Sequence, residues 1–547
     1  MIITATINEK SFGDKSLFKE TSFFVDDGEK VGLVGRNGEG KTTLFRIVAG
    51  DDKDFQGEIQ LGKGVHTVST RQEHHGFQDM PVMEYILQDL PKYTTLKHIL
   101  DNHPLIMGDK MHLINEYSEA LEQFDTLGYY TIENEVEKVL DSFQLGSRIN
   151  DKLGDLSGGQ TRLIEVAKVM LSNAQLALID EPTNHMDYVA KDKFLQWMGS
   201  ANDAMLVISH DRDVLDKVDR ILEVKDQKIL SYKGNYSDYL RQNSSSTGSM
   251  MNEYELTQRR MVNLKAKIIE YQRYKEKSRH PSTIQRFKRL EQQSRDELAR
   301  LEKTEKPTFW VDRESVQDMG LKTGEQYQKF KAKNIKLHGV TGEEGFGRLL
   351  VNITDLSLGY ETPLFEKVAF QIREGEVLEL RGRNGAGKST LVKTLLATVN
   401  GTPFSAKIFD GVIDIDKKIR VGVYEQEAPE AILNKTLSEA IEHIYLSRGL
   451  KVGETKVRQL MSDYLFTAGD ANIPVTQLSG GQKARLQLIE MLADTPSLLV
   501  LDEPTNHLDL PSIEELEQAL NNYSGAILYI SHDTYFRKNL GGTVIQI

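Results

Sequence analysis

The chain has 547 residues, more than one ordinary core holds, so two to four domains are expected. It has 39% hydrophobic and 27% charged residues and no cysteine, which fits a folded soluble protein and excludes a disulfide framework, cysteine–zinc sites and thiol catalysis. The formal net charge of −13 argues against uniform nucleic-acid binding, yet residues 251–310 hold 15 Lys+Arg against 9 Asp+Glu, a local balance of +6.

The N-terminal MIITATINEKSFG lacks a basic start followed by an apolar stretch, so no secretory signal is expected. No apolar run reaches the roughly eighteen residues of a membrane helix. A cytoplasmic protein without a membrane domain is the simplest expectation. The first strong element is the apolar run VGLV at 31–34, followed by GRNGEGKT at 35–42 and the helical pattern LFRIV. This is a strand, a phosphate loop and a helix. A helix N-terminus presents unpaired N–H groups and partial positive charge, which suit phosphate. Gly35, Gly38 and Gly40, around Asn37, let the backbone approach closely and take up positive φ. Lys41 is placed to reach the β- and γ-phosphates, and Thr42, followed by Thr43, to coordinate Mg²⁺ by its hydroxyl. Glu39, an acid beside bound phosphate, is expected to point outward.

Residues near 83–127 read as an inserted helical arm, with apolar spacing near 3.6 in LINEYSEALEQF. LSGGQ follows at 156–160. The apolar run LALI then ends in Asp180–Glu181. An aspartate there can hold Mg²⁺, and the glutamate can polarise and orient an attacking water, because phosphoryl transfer needs positioning and charge neutralisation more than covalent chemistry. ISHD stands at 208–211.

Next comes a different kind of sequence. Met261, Leu264, Ile268 and Tyr271 recur at spacings of 3, 4 and 3, and Ile284, Phe287, Leu298 and Leu301 fit the same heptad. SRHPST at 278–283 breaks the pattern, predicting two antiparallel helices of about 25 residues each. The stretch 271–290 near the turn holds seven basic residues against Glu276 alone. Arg273, Lys275, Lys277, Arg279, Arg286, Lys288 and Arg289 are the candidate RNA contacts, since a basic tip on an acidic body suits RNA phosphate.

The motifs then repeat. GRNGAGKS at 382–389 supplies Gly382, Asn384, Gly385, Gly387, Lys388 and Ser389, with Thr390 next; LSGGQ returns at 478–482, VLDEPTNHLD at 500–509 and ISHD at 530–533. Ser157, Asp180 and His210 each precede Ser479, Asp502 and His532 by 322 positions. Chance does not give three equal offsets, so two copies of one domain lie on the chain. Asp502 and Glu503 repeat the metal-holding and water-orienting pair.

LSGGQ resembles the signature of ATP-binding cassette ATPases, and two copies with matching phosphate loops make the likeness specific. The resemblance implies an α/β fold of two P-loop nucleotide-binding domains joined by an α-helical hairpin linker. Their bounds are about 1–243 for the first cassette, 244–320 for the linker and 321–547 for the second. It implies that ATP lies between the phosphate loop of one cassette and the signature of the other. Lys41 would then work with Ser479, Gly480, Gly481 and Gln482, and Lys388 with Ser157, Gly158, Gly159 and Gln160. His210 and His532 match the family's switch histidine at the γ-phosphate. Gln72 and Gln426 match the glutamine that senses Mg²⁺ and the attacking water. Phe12 and Tyr360 match the aromatic that stacks on adenine. Together with the acid pairs, Thr42, Gln72 and Asp180 form one Mg²⁺ set, and Ser389, Gln426 and Asp502 the other.

Three kinds of tandem ATPase compete: a transporter's energising subunit, a DNA-repair or chromosome-organising ATPase, and a translation factor. The second is disfavoured by the missing zinc cysteines and by cassettes that are each whole. The first leaves the basic hairpin without a role. EPTNHMD, EPTNHLD and GNYSDY at 234–239 resemble the ABC-F family, which has tandem cassettes, a charged helical linker and no membrane domain. The resemblance implies a monomer whose two cassettes pair within one chain. It also implies a ribosome partner, through rRNA and P-site tRNA at the exit site and peptidyl-transferase centre, in a role of translation control or antibiotic protection.

Overall fold

A computed structural model describes residues 1–12, 15–71, 74, 76–108, 110–184, 186–277, 281–302, 347–424, 429–464, 466–478, 480–506 and 508–547. The chain divides into two compact units: Met1–Tyr236 with Asn334–Ile547, and Ser237–Lys333. The first unit holds both cassettes.

In the first cassette β1 (Ile3–Phe12), β2 (Lys15–Val25) and β4 (Gln56–Leu61) form an antiparallel sheet in the order β2-β1-β4. The second sheet is mostly parallel, in the order β5-β6-β7-β3-β8-β9. It comprises β3 (Lys30–Gly35), β5 (Thr67–Ser69), β6 (Leu176–Asp180), β7 (Ala204–Ile208), β8 (Arg220–Lys225) and β9 (Lys228–Lys233). Every residue of β6 and β7 is buried, as expected for central parallel strands covered on both faces. Ile3, Ala5, Ile7, Phe18, Leu33, Leu44, Leu178 and Leu206 join the two sheets in one core.

The second cassette repeats this plan. β10 (Leu349–Gly359), β11 (Pro363–Arg373) and β13 (Lys407–Ile415) form the order β11-β10-β13. β12 (Val377–Arg381), β14 (Val421–Tyr424), β15 (Leu498–Asp502), β16 (Ala526–Ile530) and β17 (Thr543–Gln546) form the parallel order β14-β15-β16-β12-β17. In both copies the phosphate-loop strand, the acidic strand and the histidine strand are side by side. Their carboxyl ends therefore open at one edge, where ligands bind in open α/β sheets.

Helices α1 (Lys41–Ala49), α2 (Val82–Gln88), α3 (Tyr93–Ile106), α4 (Met111–Thr126), α5 (Ile132–Ser142), α6 (Gly158–Leu171), α7 (Tyr188–Ser200) and α8 (Arg212–Leu215) belong to the first cassette. The bridge that anchors α2, Pro81 with Lys152, recurs as Thr436 with Pro474 at the corresponding helix of the second copy. The arm is thus α3 and α4. It is helical as the spacing predicts, but it starts about ten residues later than 83, because α2 is shared by both copies. At its base Tyr129 meets Tyr93 and Phe124 edge-to-face, with ring centroids 5.3 and 5.4 Å apart.

The linker unit is formed by α9 (Tyr236–Lys277), whose first residue lies in the other unit, and α10 (Pro281–Glu302). α9 ends at Lys277 and α10 begins at Pro281, so the two helices part at the break the sequence predicts, while 278–280 lie outside the described residues. The two helices are unequal, however: α9 has 42 residues and α10 has 22. The Ser- and Gly-containing stretch before Met250 lies within α9. Leu264 and Ile268 are buried, and Tyr274 stacks on Phe287 at 5.2 Å across the pair. Glu291 receives Lys275 at 2.7 Å and Arg295 at 2.9 Å, and these hydrogen bonds hold its carboxyl at about 2. The stretch 309–348 falls largely outside the described residues.

The second cassette completes with α11 (Lys388–Asn400), α12 (Glu430–Leu433), α13 (Leu437–Ser447), α14 (Glu454–Asp463), α15 (Gly480–Leu492), α16 (Leu510–Asn521) and α17 (Thr534–Leu540). Among the described residues no helix is long and apolar enough to cross a membrane.

Candidate functional site: two phosphate loops and the seam between cassettes

Each phosphate loop runs from a buried strand into a helix through two left-handed glycines. Gly38 and Gly40 have φ of 83° and 102°, and Gly385 and Gly387 have 82° and 100°. Gly382 does not share the positive φ expected for it. It is needed for close approach: a Cβ there would lie 2.5 Å from the Ile547 carbonyl oxygen. At Gly387 a Cβ would meet Phe365 Cδ1 at 2.9 Å. Gly387→Ala combines that contact with a left-handed backbone, a strain of about 1–3 kcal/mol. ATP affinity at the second site is expected to fall roughly 5- to 150-fold in titration with a fluorescent ATP analogue.

Lys41 Nζ donates to the Gly35 and Arg36 carbonyls at 2.7 and 3.2 Å. Lys388 Nζ donates to Gly382 and Arg383 at 2.8 and 2.9 Å. Burial lowers the pKa of both lysines, partly offset by the facing Glu181 and Glu503. Glu39 departs from its outward expectation: its carboxylate turns back to accept from the Arg36 N–H at 3.0 Å, and burial pushes it up to about 7.

The acidic pairs end β6 and β15. Glu181 and Glu503 are non-glycine residues at φ 45° and 48°. Such backbone costs free energy and persists where the surroundings enforce it, frequently at reactive sites. Here the Glu181 N–H donates to Ile208 O at 2.8 Å and the Glu503 N–H to Ile530 O at 2.9 Å. Each glutamate is also met by the histidine of the ISHD repeat. The His210 N–H reaches Glu181 Oε2 at 3.4 Å, and the His532 N–H reaches Glu503 Oε2 at 3.2 Å. The imidazole Nε2 atoms lie 3.5 and 3.3 Å from the same carboxylates. Burial, then the charge of Asp180, raises Glu181; burial, then Asp502, raises Glu503 to about 7. Burial and Lys41 keep His210 neutral, and burial and Lys388 lower His532 to about 4.

Two cavities sit at these loops. One, of about 520 Å³, is lined by Lys41, Thr42, Thr43, Asp180, Glu181 and His210, with Asn37, Gly38 and Gly40 at its rim. Thr505, Asn506 and Ile513 of the second cassette also line it. The other, of about 430 Å³, is lined by Lys388, Ser389, Thr390, Asp502, Glu503 and His532, with Asn384, Gly385, Gly387 and Tyr360. Tyr360 is 43% exposed. Among the described residues neither cavity is lined by Ser157, Gly158, Gly159 or Gln160. Ser157 instead caps α6 in a capping box: Gln160 N–H donates to Ser157 Oγ at 3.3 Å, and Ser157 N–H to Gln160 Oε1 at 3.0 Å. Gly480 and Gly481 open α15, and Gln482 Nε2 donates to Asp470 at 3.0 Å. Ser479, Gln72, Gln426, Arg279 and the side chains of Phe12 and Lys277 lie outside the described residues. Arg273, Arg286, Lys288 and Arg289 are exposed on the linker, whereas Lys275 is engaged by Glu291.

What joins the cassettes was not anticipated from the motifs. Asp187 caps α7 through Ala190 N–H at 2.9 Å, and its other oxygen accepts from Asn384 N–H at 3.3 Å and Arg383 Nε at 3.2 Å. Asp509 caps α16 through Ser512 N–H at 3.1 Å and accepts from Asn37 N–H at 3.0 Å. Each aspartate therefore ties its own helix to the other cassette's phosphate loop. The signal was present: both close the EPTNH(M/L)D repeat, 322 positions apart. A second contact set is unequal. Arg212 reaches Glu517 at 3.4 Å and Glu514 at 3.6 Å and lies over the Tyr535 ring, whose hydroxyl donates to Asp216 at 2.6 Å.

The family described as ABC transporter matches residues 18–184 and 365–506, and a second family of the same description matches 222–317. YdiF of Bacillus subtilis, whose name describes an ATP-binding protein, is 31% identical over 100% of this chain and 80% of its own length. The ribosome protection protein VmlR of Bacillus subtilis is 28% identical over 98% of this chain and 84% of its own. The energy-dependent translational throttle protein EttA of Mycobacterium tuberculosis is 28% identical over 96% and 88%. The archaeal ribosome recycling factor aABCE1, solved with the stalk protein aP1, shares the fold, with a TM-score of 0.56 at 17% identity over 99% of this chain and 87% of that one. Two cassettes with paired phosphate loops and acid pairs, matched along their length by these relatives, make the chain an ATP-hydrolysing member of the ABC-F family of tandem ATP-binding cassette proteins.

Proposed function

We propose that the chain is a cytoplasmic translation factor that binds the ribosome in its ATP state and acts through its linker. ATP lies at each phosphate loop and is completed by the signature of the opposite cassette. Glu181 and Glu503 orient the attacking water, and His210 and His532, held neutral, contact the γ-phosphate. The donors suit Mg²⁺, a hard cation that takes oxygen ligands. Thr42 and Asp180, with Gln72, would hold it in the first site, and Ser389 and Asp502, with Gln426, in the second. Bound there, the ion would offset the repulsion that raises each neighbouring glutamate and neutralise phosphate charge. Hydrolysis lets the cassettes part and releases the factor.

The observation that carries the ribosome reading is the linker. Four exposed cations, Arg273, Arg286, Lys288 and Arg289, are close in sequence to Tyr274 and Phe287, which stack across the two linker helices of an otherwise acidic protein. The names of VmlR and EttA supply the kind of partner. The linker is placed toward P-site tRNA and the rRNA of the peptidyl-transferase centre, with the cassettes at the exit site, where it tunes translation or dislodges an antibiotic. Replacing the four cations by alanine is expected to weaken ribosome binding and to flatten the log–log salt slope by about 3. Sedimentation across a salt series measures it; an unchanged slope would exclude these residues as phosphate contacts.

A further inference from the structure

Lys191 stands on α7, four residues after Asp187, with its side chain 6% exposed. Its ammonium is paired within its own cassette, at 2.7 Å to Asp211 and 2.6 Å to Asp213. It also crosses the seam and lies 3.5 Å from the carbonyl oxygen of His532 in the second cassette. The N–H of that same His532 donates to Glu503. A contiguous chain of contacts thus runs from Asp211, the neighbour of His210 in the first site, through Lys191 and the backbone of His532 to the carboxylate of the second site. The two facing loops would otherwise bring like charges together, since Asp211 is among the groups that raise Asp533 and Lys191 among those that lower it.

The first site lacks the matching lysine. The repeat offset of 322 places Ile513 where Lys191 stands, and Tyr535 where Asp213 stands. Ile513 is buried and lines the first cavity, as Lys191 itself does, but an isoleucine side chain offers no donor, so it cannot hold the His210 backbone as Lys191 meets that of His532. A buried lysine is kept charged only by partners, and Lys191 has them: they raise its pKa against burial.

We propose that Lys191 is a positioning residue for the second ATP site, holding the His532 backbone from the first cassette so that hydrolysis at Glu503 depends on cassette closure, while hydrolysis at Glu181 has no such clamp. The proposal rests on the reading of Glu181 and Glu503 as the water-orienting groups. Binding of ATP to Lys388 does not involve Lys191, so its loss acts on kcat and not on KM.

The test uses the full chain in two single-site backgrounds. E181Q leaves turnover to the second site and E503Q leaves it to the first. The Glu181→Gln/Glu503→Gln double variant is measured beforehand, and turnover there near the wild-type rate would overturn the glutamate assignment and the proposal with it. With that assignment secure, K191M is expected to lower kcat about tenfold in the E181Q background, with KM for ATP within about twofold, and to change kcat in the E503Q background by less than about twofold. K191Q, polar and of nearly the same length, is the second variant, read by the same split where K191M does not fold. Equal losses in both backgrounds, a loss confined to E503Q, a loss carried by KM, or no loss in either background overturns the proposal.

Discussion

Glu181→Gln/Glu503→Gln is expected to lower ATP turnover by about 10²–10⁴-fold while ATP binding is retained. Glutamine keeps the size and one carbonyl oxygen of the carboxylate, so the strained turn after β6 and β15 is preserved. The Ile208 and Ile530 carbonyls still receive the same N–H groups, because those bonds are made by the backbone. What is lost is the anionic oxygen that draws a proton from water. Raised glutamates fit that task, since a base works best with a pKa near the ambient pH. Steady-state phosphate release measures the loss, and equilibrium binding of a fluorescent ATP analogue measures retention. The single variants are expected to differ, because Glu503 is linked to the opposite cassette through His532 and Lys191, whereas Ile513 stands at the position of Lys191 for the other site.

The second large effect is on stability. Glu165 of α6 is fully buried and takes four donors: Arg71 N–H at 2.7 Å, His74 Nε2 at 2.8 Å, Lys168 Nζ at 2.7 Å and the Tyr85 hydroxyl. Lys168, equally buried, also pairs with Asp89 at 3.0 Å, and Arg71 with the same Asp89 at 2.8 Å. Removing one partner of a buried ion pair leaves the other charge uncompensated, at about 3–5 kcal/mol. Glu165→Ala is therefore expected to lower the unfolding free energy by that amount in urea denaturation. The double change Glu165→Met/Lys168→Met is expected to lose less than Glu165→Ala alone, since it leaves no such charge on Lys168. Despite burial, His74 and Lys168 hold the Glu165 carboxyl down at about 2. A depressed carboxyl stabilises the fold above its ordinary value of 4.5, and that contribution is lost as the pH falls through about 2. The network belongs to the first cassette: the repeat offset places Gln487 and Glu490 at the positions of Glu165 and Lys168.

These two cases show what sequence can and cannot carry. The phosphate loops, the acid pairs and the histidines were legible because each is a short local pattern with a fixed chemical task, repeated at one offset. The division of the linker into two helices was legible because proline and small polar residues interrupt a heptad. Glu165 and Lys168 look like an ordinary i,i+3 pair on a solvated helix face; contacts from Arg71, His74, Tyr85 and Asp89, distant in sequence, accompany their burial. Lys191 looks equally ordinary, because its partners lie 20 and 341 positions away. Asp187 and Asp509 sit inside a recognised motif, yet their cross-cassette contacts span 197 and 472 positions. The length of α9 was missed because serine and glycine lower helix propensity without forbidding a helix.

The central claim is that ATP binding without hydrolysis holds this protein on the ribosome. It is tested most directly by co-sedimenting the Glu181→Gln/Glu503→Gln protein with 70S ribosomes, with and without ATP. The account predicts that the protein pellets with ribosomes when ATP is present and stays in the supernatant when it is absent. A folded, ATP-bound protein that remains in the supernatant in both cases would contradict it and favour a membrane-bound partner for the same ATPase.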